Sequence, residues 1–416
     1  MWVTDVSVTA TSRSDAAYGA IRVSNVDIHH WLLRHDEAVE WITGPEAAEL
    51  LAEVEARDPD ALSTATWLRE RVDPQRAAQV AAQVGLRRRA RGRFGGLADT
   101  LFWTRDGLEQ ATRPSVATWR AQQLLDQGVR RIVDLGCGLA LDARAMAQVG
   151  IEVVAVEADA TTAAYARANL AGLPAEVIVG DAVALAPQLL TGDTAVFADP
   201  ARRTARGRSW RIEDLSPPWP VVRDWLADRP GCVKLGPGMA YEHLPAQHSV
   251  RWVSDAGDLV ECSVWHETHT EPVREAVRLP GPLTLPATGE DLPAGPIGSH
   301  LYEPDPAASR AKALGTFAAQ GLHRVTPGIA YLTGDSAIDS PWLTRFRVIG
   351  ALDHRPKALK AWVKTNQIGT LEIKVRGLDI DPAQLRRDLK PKGPGSATIV
   401  LTPTSEGTTA LHVERV

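Results

Sequence analysis

A turn with two glycines follows an apolar segment near residue 135. The segment Val133–Ala140 has the sequence VDLGCGLA, in which an apolar strand ends at Asp134 and the glycines Gly136 and Gly138 flank Cys137. Glycines at such a turn let the backbone bend tightly and approach a ligand that a Cβ atom would push away. The pattern predicts a cofactor-binding turn formed by these residues.

Two further acidic residues follow the next two apolar segments. Glu157, followed by Ala158, lies about 20 residues beyond the turn, where a carboxylate can accept hydrogen bonds from both hydroxyls of a ribose. Asp181, followed by Ala182, ends the third segment and could accept a hydrogen bond from an adenine amino group. Together with Asp134, these residues predict a nucleoside-containing cofactor.

The charge of Asp134 distinguishes two cofactor classes that share this geometry. In a dinucleotide site, a carboxylate about 4 Å from the pyrophosphate would cost on the order of several kcal/mol. S-adenosylmethionine (SAM) instead presents an ammonium and a sulfonium, which Asp134 would attract. The third glycine of the dinucleotide fingerprint is also replaced, by Leu141. We therefore predict SAM rather than NAD.

The fourth apolar segment ends in Asp199-Pro200-Ala201-Arg202. A carboxylate and a carbonyl on a rigid Asp-Pro turn can accept hydrogen bonds from an amine and direct its lone pair toward a methyl group. The segment resembles the Asp/Asn-Pro-Pro-aromatic motif of enzymes that methylate exocyclic amines of bases, with Ala201 and Arg202 in place of the second proline and the aromatic residue. Asp199, Pro200 and Arg202 are the predicted catalytic residues.

A basic loop follows this motif. Arg203, Arg206 and Arg208 precede Trp210, and positive side chains interleaved with an aromatic ring suit a single-stranded or flipped nucleotide. Lys234, at the end of a fifth apolar segment, is predicted to face the same cleft. A solvated loop for the arginines and a surface ion pair for Lys234 remain the alternatives.

The composition excludes several other kinds of site. The three cysteines lie far apart with no CxxC spacing, which predicts neither a zinc site nor disulfides, and the histidines lack the spacing of a metal site. Cysteine-dependent carbon methylation is therefore also not expected. No apolar run is long enough to span a bilayer. We expect a cytoplasmic protein that binds neither metal nor membrane.

Alternating apolar and helical segments predict an α/β fold with a mainly parallel sheet. A later segment, Leu259–Trp265, is predicted as a strand at the edge of this sheet. The other predicted strands are Arg131–Asp134, Glu152–Val156, Ala175–Val179, Thr194–Ala198 and Gly231–Leu235.

The regions on either side have different compositions. Helical patterns fill residues 44–85 and end in a run with five arginines at 86–93, which is either a solvated helix end or a nucleic-acid contact. A stretch rich in Pro and Gly at 275–300 is typical of a linker or of an irregular entry into another domain. The whole chain has a net charge of −5, but residues 341–416 hold thirteen Lys or Arg against seven Asp or Glu, and Lys374 and Arg376 project from one side of a predicted strand. This segment is predicted to bind RNA; docking on the chain's own acidic surface is the alternative.

Four segments together resemble bacterial class I SAM-dependent methyltransferases that carry a THUMP-like C-terminal domain. They are Asp199–Arg203, Val233–Pro237, Leu301–Asp305 and Glu372–Gly377.

The resemblance implies a Rossmann-like α/β methyltransferase domain at residues 110–272, after a helical N-terminal domain at 1–109. It also implies two small α+β units, a ferredoxin-like segment at 273–340 and a THUMP-like RNA-binding domain at 341–416, and it places residues 108–112 beside the cofactor. The expected function is methylation of a base in ribosomal or transfer RNA. The alternatives are a methyltransferase for DNA, protein or a small molecule, and a protein that binds SAM and RNA without turnover.

Overall fold

The structure, a computed structural model, describes residues 39–57, 61–204, 207–208, 211–268 and 270–416, without the side chains of 202–204 and 207–208. It contains a helical N-terminal region, a large mixed sheet with helices on both faces, and a second sheet toward the C-terminus. No helix in these ranges is both long and apolar enough to cross a membrane.

The N-terminal region packs three helices around a small apolar core. Helix α3 is fixed at its start by Asp73, whose carboxylate accepts the amide hydrogens of Gln75 and Arg76 at 2.9 and 3.0 Å. Leu51, Val54, Leu68, Val80 and Val84 are buried between the helices. The helices of this region are α1 (Pro45–Glu55), α2 (Leu62–Arg69), α3 (Pro74–Phe94) and α4 (Leu97–Thr100).

The run of five arginines lies on α3, and four of its members have partners within the chain. Only Arg89, which is exposed, has none among the described residues. These contacts fasten α3 to the segments on either side, so the run is mainly structural. The partners are the carbonyl oxygens of Leu101 for Arg87, of Arg57 for Arg88 and of Leu108 for Arg93, and the carboxylate of Asp99 for Arg91.

The large sheet has nine strands, in the order β12-β11-β9-β10-β8-β4-β1-β2-β3. The strands β3, β2, β1, β4 and β8 are parallel, and the strand order reverses between β1 and β4. In such sheets ligands bind at the carboxyl ends of the strands beside the reversal. In chain order the strands up to β12 are β1 (Arg131–Leu135), β2 (Glu152–Glu157), β3 (Ala175–Val179), β4 (Ala195–Ala198), β5 (Ala201–Thr204), β6 (Gly207–Arg208), β7 (Leu215–Ser216), β8 (Gly231–Leu235), β9 (Ser249–Asp255), β10 (Asp258–His266), β11 (Arg274–Leu279) and β12 (Leu283–Pro286).

One prediction about this sheet is wrong. Strand β10 is not at the edge but lies between β8 and β9, antiparallel to both. Residues Glu261–Trp265 are all buried, as expected for a strand covered on both faces. Strands β9, β11 and β12 lie beyond it and were not predicted.

Alternate residues of each strand face two apolar layers. On β1, Ile132 belongs to the same buried cluster as helix α6 (Pro114–Asp126), while Val133 belongs to the cluster that contains Ala186 of helix α9 (Ala182–Leu189). A separate small sheet of β5, β6 and β7 follows β4, in the order β6-β5-β7. The helices of this part are α5 (Arg105–Gln110), α6 (Pro114–Asp126), α7 (Leu141–Gln148), α8 (Ala160–Asn169), α9 (Ala182–Leu189) and α10 (Trp219–Leu226), with short 3₁₀ helices at Ile212–Asp214 and Tyr241–His243.

The C-terminal sheet has seven strands in the order β14-β15-β13-β16-β19-β18-β17. Its elements are β13 (His300–Pro304), α11 (Pro306–Arg310), a 3₁₀ helix (Leu314–Gln320), β14 (His323–Arg324), β15 (Leu332–Gly334), β16 (Leu343–Leu352), α12 (Pro356–Thr365), β17 (Ile368–Val375), α13 (Pro382–Leu389), β18 (Gly395–Thr404) and β19 (Gly407–Arg415). Helices α12 and α13 cover one face through Leu359, Val363, Leu385 and Leu389.

The strands of the segment predicted as ferredoxin-like are divided between the two sheets. Strand β11 pairs with β9 of the large sheet, whereas β13 pairs with β16 of the C-terminal sheet. The core under the large sheet also continues without a break into Tyr302, Leu314 and Phe317. The segment therefore joins the two sheets, because its apolar residues are shared between them; the bounds of the four predicted domains stay a prediction.

Candidate active site

The glycine turn connects β1 to α7 at the point where the strand order reverses. Gly136 has a φ angle of 96° and Gly138 one of 54°, in the region that favours glycine. The amide hydrogens of Gly136 and Cys137 both bond to the carbonyl oxygen of Val156 at 2.9 Å. Ala140, which ends the turn, also adopts a left-handed conformation, with a φ angle of 63°. The turn is therefore fastened to β2.

Glu157 is held in place by two backbone groups. One carboxylate oxygen accepts the amide hydrogen of Gly138 at 3.0 Å, and the other accepts that of Asp159 at 2.9 Å. Each oxygen retains a lone pair for a further donor. The carboxylate is thus oriented before any ligand arrives.

A cavity of about 440 Å³ opens beside the turn, within the size range of small-molecule sites. The structure brings all eight predicted cofactor residues to its surface: Asp134, Gly136, Cys137, Gly138, Glu157, Ala158, Asp181 and Ala182. Asp181 also caps α9, because one of its oxygens accepts the amide hydrogen of Ala184 at 2.9 Å.

Of the predicted catalytic residues, Asp199 lines the cavity and Pro200 is buried beside it. The side chains of Arg202, Arg203 and Arg208, and the whole of Arg206, fall outside the described part of the chain.

Lys234 forms an ion pair with Asp199. Its ammonium lies 2.5 Å from Asp199 Oδ2 and donates a second hydrogen bond to the Thr112 hydroxyl at 2.9 Å. The Lys234 side chain is 14% exposed and that of Asp199 is 36% exposed.

The Lys234 pair belongs to a longer chain of buried charges. The Thr112 hydroxyl donates to Asp142 at 2.5 Å, and Arg120 donates to the other oxygen of Asp142 at 3.0 Å. Arg120, which is fully buried, also makes two hydrogen bonds to Glu261, at 2.9 and 2.7 Å. Asp142, Arg120 and Glu261 were not predicted, whereas Thr112 belongs to the stretch that the resemblance placed beside the cofactor. The signal was present in the sequence, since Arg120 and Glu261 interrupt otherwise apolar faces of a helix and a strand.

The N-terminal region also contributes to the cavity. Gln110, Ala111 and Thr112 line it, within the stretch that the resemblance placed beside the cofactor, and so does Gly107 of α5. A Cβ atom at Gly107 would collide with the side chain of Leu139 in the glycine turn. Helix α5 therefore packs directly against the cofactor turn.

The two predicted RNA contacts at the end of β17, Lys374 and Arg376, have partners within the chain. The Lys374 ammonium bonds to the Glu303 carboxylate at 2.7 Å, and the Arg376 guanidinium lies 5.2 Å from the centre of the Tyr331 ring. Both side chains therefore hold this end of β17 against residues that precede the predicted THUMP-like domain at 341–416. Their role toward RNA stays a prediction.

The cysteines are poorly suited to act as nucleophiles. Burial raises the pKa of Cys137 well above its ordinary value and that of Cys232 to about 12, and it also raises the pKa of Cys262. No group of three potential metal ligands occurs among the residues that the structure describes.

Comparison with known proteins identifies the family. An uncharacterized S-adenosylmethionine-dependent methyltransferase of Mycobacterium tuberculosis (strain CDC 1551 / Oshkosh) is 31% identical over 335 residues, which cover 77% of this chain and 91% of that protein. A protein of strain ATCC 25618 / H37Rv matches equally. The chain belongs to the S-adenosylmethionine-dependent methyltransferases. It is thus an enzyme with SAM as its methyl donor.

Other similarities agree with the architecture of this methyltransferase. The THUMP domain-like family matches residues 343–415, and a domain of unknown function matches residues 36–90. The crystal structure of a proposed methyltransferase from Porphyromonas gingivalis W83 superposes with a TM-score of 0.71 at 21% identity, over 92% of this chain and 98% of that one. The methyltransferase therefore has the class I fold followed by a THUMP-like domain.

The charges around the cavity suit SAM. Asp134 is 2% exposed, and burial raises its pKa well above the usual range, with Asp142, Asp199 and Glu157 adding to the effect. Burial therefore opposes the ionised form of this carboxyl in the free methyltransferase, and its attraction for the cofactor's positive charge stays a prediction. A cationic ligand would favour its ionised form, which makes the cavity selective for positive charge.

We expect replacement of Glu157 by Gln to weaken SAM binding by about 1–3 kcal/mol, because an amide cannot accept hydrogen bonds at both positions. Isothermal titration calorimetry of the purified protein measures the change. Glu152→Gln on the same strand is the control, since the Glu152 side chain is exposed and should leave the dissociation constant unchanged. Equal affinity of Glu157→Gln and wild type would contradict the assigned contact.

At a pH below the raised pKa of Asp134, SAM binding should release a proton from its carboxyl group. Because the raised pKa of Asp134 falls when a cation binds, the dissociation constant decreases as pH rises toward the free-protein pKa, by roughly tenfold per pH unit at most, and is constant above it. Calorimetry in two buffers of different ionisation enthalpy counts the protons. The variant Asp134→Asn should bind more weakly and with a flatter pH dependence; a wild type that releases no proton would exclude this coupling.

Proposed function

We propose that this methyltransferase methylates a nitrogen of a base in ribosomal or transfer RNA. The observation that carries the proposal is the Asp199 carboxylate at the cavity, with Oδ2 paired to Lys234 and part of the side chain exposed. The THUMP-like domain, whose family resemblance implies RNA binding, supports RNA as the acceptor.

The donor and the protein contribute different parts of the chemistry. SAM supplies an electrophilic methyl group on a sulfonium and leaves as a neutral thioether. The protein's part is to orient the acceptor: Asp199 accepts a hydrogen bond from the acceptor nitrogen and then holds the proton that this nitrogen loses. The high pKa values of all three thiols argue against a route in which a cysteine first adds to a base carbon.

Helix α12 supports contact with a polyanion. Its buried residues Leu359 and Val363 face the C-terminal sheet, while Lys357, Lys360 and Lys364 recur on the exposed side. None of these lysines forms an ion pair within the described residues, so all three are available to phosphates. We call them the lysine face.

Transfer of label from methyl-labelled SAM to deproteinised RNA of a strain that lacks the enzyme tests the acceptor. The wild type should label RNA, and Asp199→Asn should reduce transfer at least about 100-fold while SAM affinity stays within about threefold. Asp193→Asn, at an exposed position just before β4, is the matched control. Label in DNA, protein or metabolites instead of RNA would identify another acceptor class, and SAM binding without any transfer would indicate a silent binding protein.

Replacing Lys357, Lys360 and Lys364 together by Gln should weaken RNA binding and make the plot of log affinity against log salt shallower by roughly 2, since each contact to single-stranded RNA contributes about 0.7. Filter binding at several salt concentrations gives the slope. Replacing three exposed arginines outside the THUMP-like domain by Gln removes the same amount of charge and should change the slope little. An unaltered slope in the lysine variant would remove the lysine face from the RNA site. The control positions are Arg69, Arg131 and Arg223.

A further inference from the structure

Lys234 lies behind the surface of the cavity rather than on it. Thr112 and Asp199 line the cavity, and the Lys234 ammonium bonds to both from the side of β8. With 14% of its side chain exposed, Lys234 is poorly placed to reach a phosphate of a bound polynucleotide. Its contacts instead point to a role toward Asp199.

Thr112, the second partner of the Lys234 ammonium, is itself held in place by buried groups. Thr112 accepts from Lys234 and donates to Asp142, whose second oxygen is bonded to the fully buried Arg120. The ammonium is therefore held at a fixed position between a buried anchor and the Asp199 carboxylate. Movement of Lys234 would break these hydrogen bonds in a largely buried environment, where unpaired polar groups are costly.

We infer that Lys234 is a positioning residue, which fixes Oδ2 of Asp199 and leaves Oδ1 to accept an N–H of the acceptor. The inference rests on the proposed function and narrows it: the methylated atom is a nitrogen that carries at least one hydrogen before transfer. A carboxylate rotated away from this orientation would present its lone pairs poorly to that hydrogen.

The charges around the pair favour a protonated Lys234. Burial alone would lower the pKa of Lys234, but Asp199, Asp142 and Glu261 together raise it above its ordinary value. The ammonium therefore cannot take a proton from the acceptor, which leaves this task to Asp199. Of the other charged groups, Asp134 on β1 interacts with Asp199, and Arg120 on α6 neutralises part of the charge of Asp142 and Glu261.

Steady-state methylation of RNA by the full-length enzyme tests the inference through Lys234→Met, Lys234→Arg and Thr112→Val. Lys234→Met should lower kcat about 100-fold while KM for RNA and the dissociation constant of SAM stay within about threefold. Lys234→Arg should restore part of kcat. Thr112→Val should lower kcat less than Lys234→Met does.

Lys312→Met, at an exposed position, is the control and should behave as the wild type. The opposite pattern for Lys234→Met, with a raised KM for RNA, an unchanged kcat and no rescue by Lys234→Arg, would make Lys234 a substrate contact and overturn the inference.

Thermal unfolding separates this inference from the proposed function. If the wild type labels no RNA, the proposed function fails, but the Lys234–Asp199 pair can still be assessed from Lys234→Met, Asp199→Asn and the double variant. Each single variant leaves one charge without its partner, so the double variant should lose less in Tm than the sum of the two single losses. Additive losses would show that the two residues do not act together and would overturn the positioning role.

Discussion

The fully buried guanidinium of Arg120 is the interaction on which the active site depends. It makes two hydrogen bonds to Glu261 on β10 and one to Asp142 in the first turn of α7. Burial opposes its charge, but Glu261 and Asp142 raise the pKa of Arg120 well above its ordinary value. The planar fork of an arginine suits this double contact, which a lysine could not reproduce. The Arg120 side chain thus fixes the start of α7, the helix after the glycine turn, relative to β10, a strand that runs antiparallel to both of its neighbours.

The Arg120 guanidinium also distinguishes two carboxyl groups of the cavity, because it bonds to Asp142 but not to Asp134. Burial would raise the pKa of Asp142, but Arg120 and Lys234 hold it below its usual value. Asp134, which lines the same cavity, has no cation bonded to it among the described residues, and burial raises its pKa well above the usual range. Burial therefore opposes the ionised form of this carboxyl, and a cationic ligand in the cavity would favour it.

Residues whose roles depend on local sequence were predictable. The glycine turn, Glu157, Asp181 and Asp199 each lie at or just after the end of a strand, and the carboxyl ends of parallel strands meet at one edge of the sheet. Contacts between distant segments were not predictable in this way. The position of β10 depends on its pairing with β9, and the arginines of α3 have a local pattern that fits solvent or nucleic acid as well as the protein contacts they make. The sequence does not specify which carbonyl oxygen lies opposite a given arginine.

The stretch rich in Pro and Gly is a second case in which contacts between distant segments were not predictable from local sequence. It also bears on how RNA could reach the active site. Composition favoured a linker or an irregular entry into another domain at 275–300, whereas β11 and β12 continue the large sheet and Leu292 is buried in its core. The contacts of Lys374 with Glu303 and of Arg376 with Tyr331 then fasten the C-terminal part of the chain to the segment that precedes it. Because a shared core resists hinge motion, an RNA bound on the lysine face would lie at a fixed distance from Asp199. On the proposed function, the choice of nucleotide would follow from this distance and from the shape of the RNA.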